Sequence, residues 1–286
     1  MTLSAQAYEF VAGVAKAGSG LALQPSKEYL IESRLAPLAR AAGAPDVNAW
    51  VLDVRRAAMA APGAGAPLDR GLGARKAIIE ALTTNETSWM RDTAPFTEFI
   101  RSVLPVIARE NSATRRIRIW SAACSTGQEP YSLAMLLTDW KRANPTYSYR
   151  IQATDIDSTV LATARAGRFS TLEMNRGLPA QHLSAHFTRE GAAWQLSEAI
   201  RQQVMFAEHN LVTQPTPPGP FDVIFCRNVL IYFDLDTKRE VLAKLRGALR
   251  PGGYLYLGAA ETALGIDPVL ERVQLGRTTV YRRPAL

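Results

Sequence analysis

The chain has 286 residues, 33 Lys+Arg against 26 Asp+Glu, and a formal net charge of +7. Its 47% hydrophobic and 21% charged residues are those of an ordinary globular protein, which excludes a disordered chain, a collagen-like fibre and a coiled coil. The cysteines Cys124 and Cys226 are too few for a disulfide framework or a cysteine-based structural zinc site.

The length suits one large domain or two smaller ones. Residues 1–84 carry nine Lys/Arg and seven Asp/Glu, net +2, and the remainder carries net +5. There is no basic tail, so the charge by itself fits solubility, nucleic acid, an acidic membrane surface or an acidic protein partner. The N-terminus has no charged n-region before an apolar run, and no stretch is long and apolar enough to span a membrane. A soluble protein of a reducing compartment is expected.

The first 84 residues read as helical. Ile31, Leu35 and Leu38 recur at i, i+4 and i+7, with Pro25 near the start of that helix and Gly43 past its end. Trp50, Val51 and Val54 continue in a short helix. The Ala/Gly/Pro-rich run 57–67 reads as a linker, and 72–83 as helix again.

From about residue 115 the texture becomes alternating strand and helix. Strands are expected at 117–122, 149–157, 221–229, 253–259 and 278–283, with helices after the first three and a Pro251-Gly252-Gly253 turn before the fourth. Such alternation indicates βαβ units and a parallel sheet, whose ligands bind beyond the carboxyl ends of the strands. Residues 168–212 break the rhythm and are expected to form an inserted antiparallel flap. His182 and His186 sit at i, i+4, but no HExxH pattern surrounds them and no metal role is expected.

The polar turns at the strand ends carry the chemistry. The first holds Gly127 and Glu129 and matches neither GxGxxG nor a P-loop. Glu129 either caps the following helix or pairs with a cationic ligand group such as an amino acid ammonium. The second holds Asp155, placed to accept hydrogen bonds from ribose hydroxyls, and Asp157, placed to cap the next helix. The third holds Arg227-Asn228, followed by Tyr232, either a core ring or a hydroxyl offered to a substrate. Upstream, Asn85, Thr87 and Arg91 alternate with the bulky Trp89 and Met90, a mixture that suggests a segment packed across a pocket.

The blocks NETSWMRD, IWSAACSTGQEPYSLAM, ATDIDSTVLATARAGRF, FDVIFCRNVLIYFD and LRPGGYLYLGAAET occur here in the order found in the chemotaxis receptor glutamate methyltransferases. From about residue 70 onward the chain resembles this family, the CheR family. The resemblance implies an α/β fold. A Rossmann-like S-adenosylmethionine (SAM) methyltransferase domain (85–286) would carry a small antiparallel β-subdomain (about 168–212), behind a small all-α domain (1–84) that docks on the receptor. It also implies that Asn85, Thr87 and Arg91 line the cofactor cleft. Glu129 would meet the amino acid end of SAM, Asp155 its ribose and Asn210-Leu211 its adenine, with Arg227-Asn228 completing the pocket. Arg91 and Tyr232 would stand nearest the transferred methyl group.

The substrate of that family is a glutamate side chain on the cytoplasmic helical region of a receptor, and the products are a methyl ester and S-adenosylhomocysteine. A carboxylate with pKa near 4.3 is already ionised at neutral pH and needs no general base. Arg91 is the natural fork for the incoming carboxylate. Lys27, Arg34 and Arg40 are expected to form a docking face for an acidic receptor helix. Only Gly191 occurs in FTREGAAWQLSEAI, where pentapeptide-binding members carry a glycine-rich insertion, so independence of the receptor's C-terminal pentapeptide is expected. The expected enzyme is a cytoplasmic monomer recruited to receptor arrays at the inner membrane, with no nucleic-acid partner and no membrane insertion. The alternative is a SAM-dependent RNA or DNA methyltransferase. It fits the basic charge but lacks both an aromatic-basic surface pattern and an Asn/Asp-Pro-Pro-Tyr after FDVIFC.

Overall fold

The computed structural model describes residues 3–59 and 68–285. The chain divides into two compact units, Met1–Thr84 with Tyr232–Thr237, and Asn85–Ile231 with Lys238–Leu286.

The smaller unit is built from α1 (Ala5–Ser19), α2 (Glu28–Ala41), α3 (Val47–Met59) and α4 (Leu68–Leu82). Ser4 caps α1 by accepting from the Ala7 N–H, and Gly20 closes it with φ 74°. These end groups satisfy amide and carbonyl groups that a helix leaves unpaired. Its core gathers Val11, Ile31, Leu35, Trp50, Val51, Ile78 and Leu82. On α2 the buried stripe is Ile31, Leu35 and Ala39, with the expected Leu38 only half-buried. Two helical turns span 7.2 residues, so i+8 serves the core as well as i+7. Of the expected linker, residues 57–59 end α3 and residues 60–67 lie outside the described residues.

Arg34, expected on the docking face, is engaged within its own unit. Its guanidinium donates to the carbonyls of Leu82 (2.9 Å) and Thr83 and to Thr84 Oγ1 (3.0 Å). It therefore closes the C-terminus of α4, where a cation meets the negative end of the helix dipole. Lys27 and Arg40 are exposed. The segment Tyr232–Thr237 is held by three contacts in the same unit. The Ala22 N–H donates to the Tyr232 carbonyl (2.9 Å), Leu21 bridges Phe233, and Lys16 pairs with Asp234 (2.9 Å).

The larger unit opens with α5 (Ala94–Glu98) and α6 (Leu104–Glu110), joined by a π-helical turn at Phe99–Val103. There follow β1 (Arg116–Ala122), α7 (Gln128–Ala143), β2 (Ser148–Asp155), α8 (Ser158–Ala166), β3 (Arg168–Ser170), α9 (Thr171–Met174) and α10 (Ala180–His186). Then come β4 (Phe187–Glu190), β5 (Ala193–Leu196), α11 (Glu198–Arg201), β6 (Val204–Glu208), β7 (Phe221–Cys226), α12 (Leu235–Ala248), β8 (Leu249–Leu257), β9 (Glu271–Leu275) and β10 (Thr278–Arg282).

The main sheet has seven strands in the order β6-β2-β1-β7-β8-β10-β9. The first five run parallel, and β10 and β9 close one edge antiparallel. Parallel strands covered on both faces are nearly all apolar, and β7 (FDVIFC) is buried along its whole length, with its one charged side chain, Asp222, accepting from the Arg118 N–H (2.8 Å) and paired with Arg250 (2.6 Å). Phe225 stacks on Tyr256 at 4.4 Å, and Phe99 meets both rings edge-on. The chain leaves β1 to one side for β2 and returns on the other as β7, so the strand order reverses at β1. Ligands of open α/β sheets sit at such a switch point.

Three differences from the sequence-based expectation have physical causes. The flap is smaller than 168–212, because Val204–Glu208 pairs in parallel with β2 and so joins the main sheet. Alternation in Val204 and Phe206 marks an edge strand equally well in either sheet. The antiparallel sheet, order β3-β5-β4, uses only segments within 168–196. The Pro251-Gly252-Gly253 stretch lies inside β8, where a register shift opposite Phe221 and Val223 and φ 76° at Gly252 absorb it. Finally, β9 is too polar to stand out by hydrophobicity.

Candidate active site

The carboxyl ends of β1, β2 and β7 converge on two buried carboxylates and one buried guanidinium. After Ala122 the backbone turns through Ala123 (φ 62°), Ser125 (φ 51°) and Gly127 (φ 96°) before α7 begins. Left-handed non-glycine residues cost energy and persist only when neighbours hold them. Here the Cys124 N–H donates to the Thr154 carbonyl (2.9 Å) and the Ser125 N–H to Asp155 Oδ2 (2.7 Å). A side chain at position 127 would press on Ala164 and the Tyr131 ring, so the turn needs glycine on steric grounds too.

Glu129 does not cap α7 with a side-chain bond; it faces inward. Its Oε1 accepts from Ser121 Oγ (2.7 Å) and its Oε2 from Arg227 Nη1 (3.3 Å). Burial pushes its carboxyl above the usual range, and the Arg227 charge offsets part of that rise. Asp155 at the end of β2 accepts from Ser125 N–H on one oxygen and from Asp157 N–H (3.0 Å) on the other. Burial raises it as well. A carboxylate offers about four lone-pair sites, so Asp155 keeps capacity for a further donor. Asp157 caps α8 as expected, accepting from the Thr159 N–H (2.8 Å).

The NETSWMRD segment crosses these turns. The Asn85 side-chain amide donates to Asp157 Oδ2 (2.7 Å), and the Asn85 backbone carbonyl accepts from Ser125 Oγ (2.7 Å). Trp89 is fully buried, edge-on to Phe169 (4.9 Å) and Phe187 (5.4 Å) of the small sheet. Gly177 accommodates it: a Cβ there would overlap the Trp89 carbonyl oxygen. Thr87 is half-buried on the same segment. Arg91 is half-buried, with Nη1 on the Glu86 carbonyl (2.9 Å), and its charge acts on Glu129.

Arg227, at the end of β7, ties this segment to the sheet. Besides Glu129 it reaches the Arg91 carbonyl (2.9 Å) and Asp92 Oδ2 (2.6 Å), and it lies over the Phe96 ring. Its Nε is buried with no partner. Asn228 follows in the left-handed region (φ 60°), held through its N–H by Glu261 Oε2 (2.7 Å), which also accepts from Gly258 N–H (2.6 Å). On the far side, the His209 N–H donates to the Asp155 carbonyl (2.8 Å), which sets Asn210-Leu211 directly after β6. Asn210 Oδ1 accepts from Val212 and Thr213 N–H groups, forming a local turn.

The structure thus brings together Asn85, Arg91, Glu129, Asp155 and Arg227 through direct bonds or charge, with Asn210-Leu211 and Asn228 at neighbouring strand ends. Tyr232 is half-buried and folds with the helical unit. Sequence reading missed Ser121, Ser125, Asp92 and Glu261. Glu261 was visible as the acid in the quoted GAAET block, whereas Ser121 and Ser125 carry no signal until β1 and its turn are placed. A cavity of about 1030 Å³ opens beside Asp92, Gly258 and Glu261 and is lined by neither Glu129 nor Asp155. It adjoins the site without forming it.

A family model described as "CheR methyltransferase, SAM binding domain" matches residues 85–278. The chain belongs to the CheR methyltransferase family. It is 39% identical to chemotaxis protein methyltransferase 1 of Pseudomonas aeruginosa over 92% of both chains. With the chemotaxis protein methyltransferase of Vibrio parahaemolyticus it shares 36% identity over 99% of this chain and 98% of the other. The Escherichia coli chemotaxis protein methyltransferase is 39% identical over 73% of this chain and 71% of its own.

As a CheR methyltransferase the chain is an enzyme and takes S-adenosylmethionine as its cofactor. The residues fit that molecule. A buried acid at a helix start suits an ammonium, a second acid at the end of β2 suits a ribose diol, and the unpartnered Arg227 Nε offers a further donor.

Proposed function

We propose that this enzyme methylates glutamate side-chain carboxylates on the cytoplasmic helical region of chemotaxis receptors, as the names of its relatives suggest. SAM supplies an electrophilic methyl group on a sulfonium. In this reading Glu129 binds the cofactor's ammonium, Asp155 its ribose hydroxyls, and Asn210-Leu211 the adenine edge. Asn85 and Thr87 wall the cleft, and Arg227-Asn228 fix its floor.

Arg91 carries the substrate step. One arm of its guanidinium rests on Glu86, and the fork is partly open, so it can orient a carboxylate without being fully spent. The carboxylate arrives ionised, and the site needs no base. That agrees with where the histidines lie: His182 and His186 are on α10, and the His209 ring packs against Trp120. Orientation of the reacting atoms then supplies the rate, up to roughly 7–11 kcal/mol in favourable cases.

The observation that carries this reading is the buried pair of acids at the switch point, held beside two arginines. The test is transfer of labelled methyl from SAM to receptor cytoplasmic fragments, read as base-labile methyl ester, with RNA as control. Label on receptor glutamates supports the proposal; label on RNA, or none on the receptor, refutes it.

Three finer readings are part of the proposal. Exposed Lys27 and Arg40 draw in the acidic receptor helix. The enzyme acts as a monomer at receptor arrays in the cytoplasm; among the described residues no helix is long and apolar enough to cross a membrane. Methylation does not require a receptor C-terminal pentapeptide, because β4 and β5 join through the short turn at Gly191, leaving no insertion. Tight calorimetric binding of such a peptide would refute this last point.

A further inference from the structure

A second cluster of ionisable groups lies away from the cofactor cleft, between α7 and α10. His182 and His186, one turn apart on α10, bring their rings side by side at 5.8 Å. Asp139 of α7 faces them, with Oδ2 3.7 Å from His182 Nδ1. One ligand atom from each of the three residues lies within 4.8 Å of the others. Both histidines are more than nine-tenths buried, and His186 Nε2 has no hydrogen-bond partner at all. A buried polar nitrogen left unpaired is costly, and folded proteins seldom keep one without use.

We infer that Asp139, His182 and His186 form a binding site for a divalent transition metal, zinc above all, that clamps α10 onto α7. Two imidazoles and one carboxylate are a zinc donor set, and they discriminate against magnesium and calcium, which prefer all-oxygen shells. In a tetrahedral zinc site with bonds near 2.0 Å, donor atoms stand about 3.3 Å apart. The side chains therefore need to close by at most about 1.5 Å. Asp139 is partly exposed, which leaves room for water at the fourth position. The competing cation is Arg142, which approaches Asp139 Oδ1 at 3.5 Å but is largely exposed and gives way cheaply.

The consequence is structural. Helix α10 leads directly into β4 of the small sheet, while α7 carries Glu129 ten residues before Asp139, about 15 Å along the helix. A metal here would fasten the inserted sheet to the helix that begins at the cofactor site, without touching the chemistry.

The test uses the full chain, free of any polyhistidine tag and stripped with a chelator. Zinc should bind one per chain and raise the melting temperature by roughly 5–10 °C at a hundredfold excess over Kd. Magnesium at the same concentration should do nothing. Cobalt(II) should give the visible absorption of an imidazole-ligated centre. Asp139→Asn, a near-isosteric change on a partly exposed helix face, should keep the fold and weaken zinc at least tenfold; His186→Gln should abolish the cobalt bands. Absence of stoichiometric zinc binding to the folded chain would overturn the inference. So would zinc binding that Asp139→Asn leaves unchanged, or an equal shift with magnesium.

Discussion

Replacing Glu129 with Gln separates a ligand-binding carboxylate from one that merely serves the fold. In the folded chain this carboxyl sits at a desolvated position and is held by Ser121 and Arg227. Removing its charge takes away a buried anion whose burial already opposes ionisation. It also leaves Arg227 with its shorter bond to Asp92 (2.6 Å). The cost to stability should therefore be small, within about 1 kcal/mol, because the amide still accepts from Ser121. The cost to cofactor binding should be much larger. An ammonium paired with a buried carboxylate is a charge-assisted bond of roughly 1.5–3 kcal/mol. That converts to a loss of about 10- to 150-fold in affinity. The assay is calorimetric titration of S-adenosylhomocysteine into wild type and Glu129→Gln, beside thermal melts of both. An unchanged Kd would refute the assignment, and so would a collapse of the melt, which would make Glu129 a structural partner of Arg227. The same pair predicts a pH dependence with a definite sign. A carboxyl raised by burial takes up its proton at higher pH than a free one, and the ammonium binds only its ionised form. Affinity should be full well above the raised value and fall as pH drops through it, and Glu129→Gln should flatten that slope.

Other outcomes follow from the same geometry. Arg91→Ala should cut methyl transfer at least tenfold while S-adenosylhomocysteine affinity and the melt change little; equal turnover would remove Arg91 from the substrate step. Arg34→Ala should lower the melting temperature by several degrees, since three groups at the end of α4 lose their donor, whereas Lys27→Ala and Arg40→Ala should leave it unmoved. Those two substitutions should instead reduce the salt sensitivity of receptor methylation, and a flat salt profile in the wild type would count against charge-guided docking. Gly177→Ala should destabilise the fold by pushing its Cβ into the Trp89 carbonyl, which unfolding by denaturant would measure.

What could be read from the sequence followed from how locally each feature is encoded. Strand β7 is a nearly continuous apolar run, and β1 and β2 alternate apolar with polar residues before a polar turn, patterns that are legible in the sequence and that put Glu129, Asp155 and Arg227 at or just beyond strand ends. Asp157 as a cap needed only the helix that follows it. Strand β6 was legible as a strand but not as a member of the main sheet, because its partner β2 is some fifty residues away and alternation does not name a partner. The bonds of Arg34 are hidden from the sequence for a related reason. A basic residue on an exposed-looking helix face is usually solvated, and only the packing of α4 against α2 turns it inward to carbonyls some fifty residues downstream.

The two acidic and basic clusters of the larger unit show how far that limit extends. At the strand ends, topology forces unrelated turns together, so a residue type at a known turn already implies its neighbours. Between α7 and α10 no such rule applies. His182 and His186 were visible as a pair four residues apart, but a pair lacks the third donor, and Asp139 lies more than forty residues earlier in a helix whose visible role is to carry Glu129. Only helix packing joins them. The orphaned nitrogen of His186 then changes the argument, because a satisfied core histidine leaves no vacancy for a ligand and this one does. If zinc fills it, the small sheet and the cofactor helix are coupled through one side-chain cluster. Stripping the metal should then loosen the Trp89 contacts with Phe169 and Phe187 before it disturbs Glu129. Hydrogen exchange across β3, β4 and β5, with and without zinc, would report that order. Faster exchange around Glu129 with an unchanged small sheet would show that the metal is not acting as the clamp.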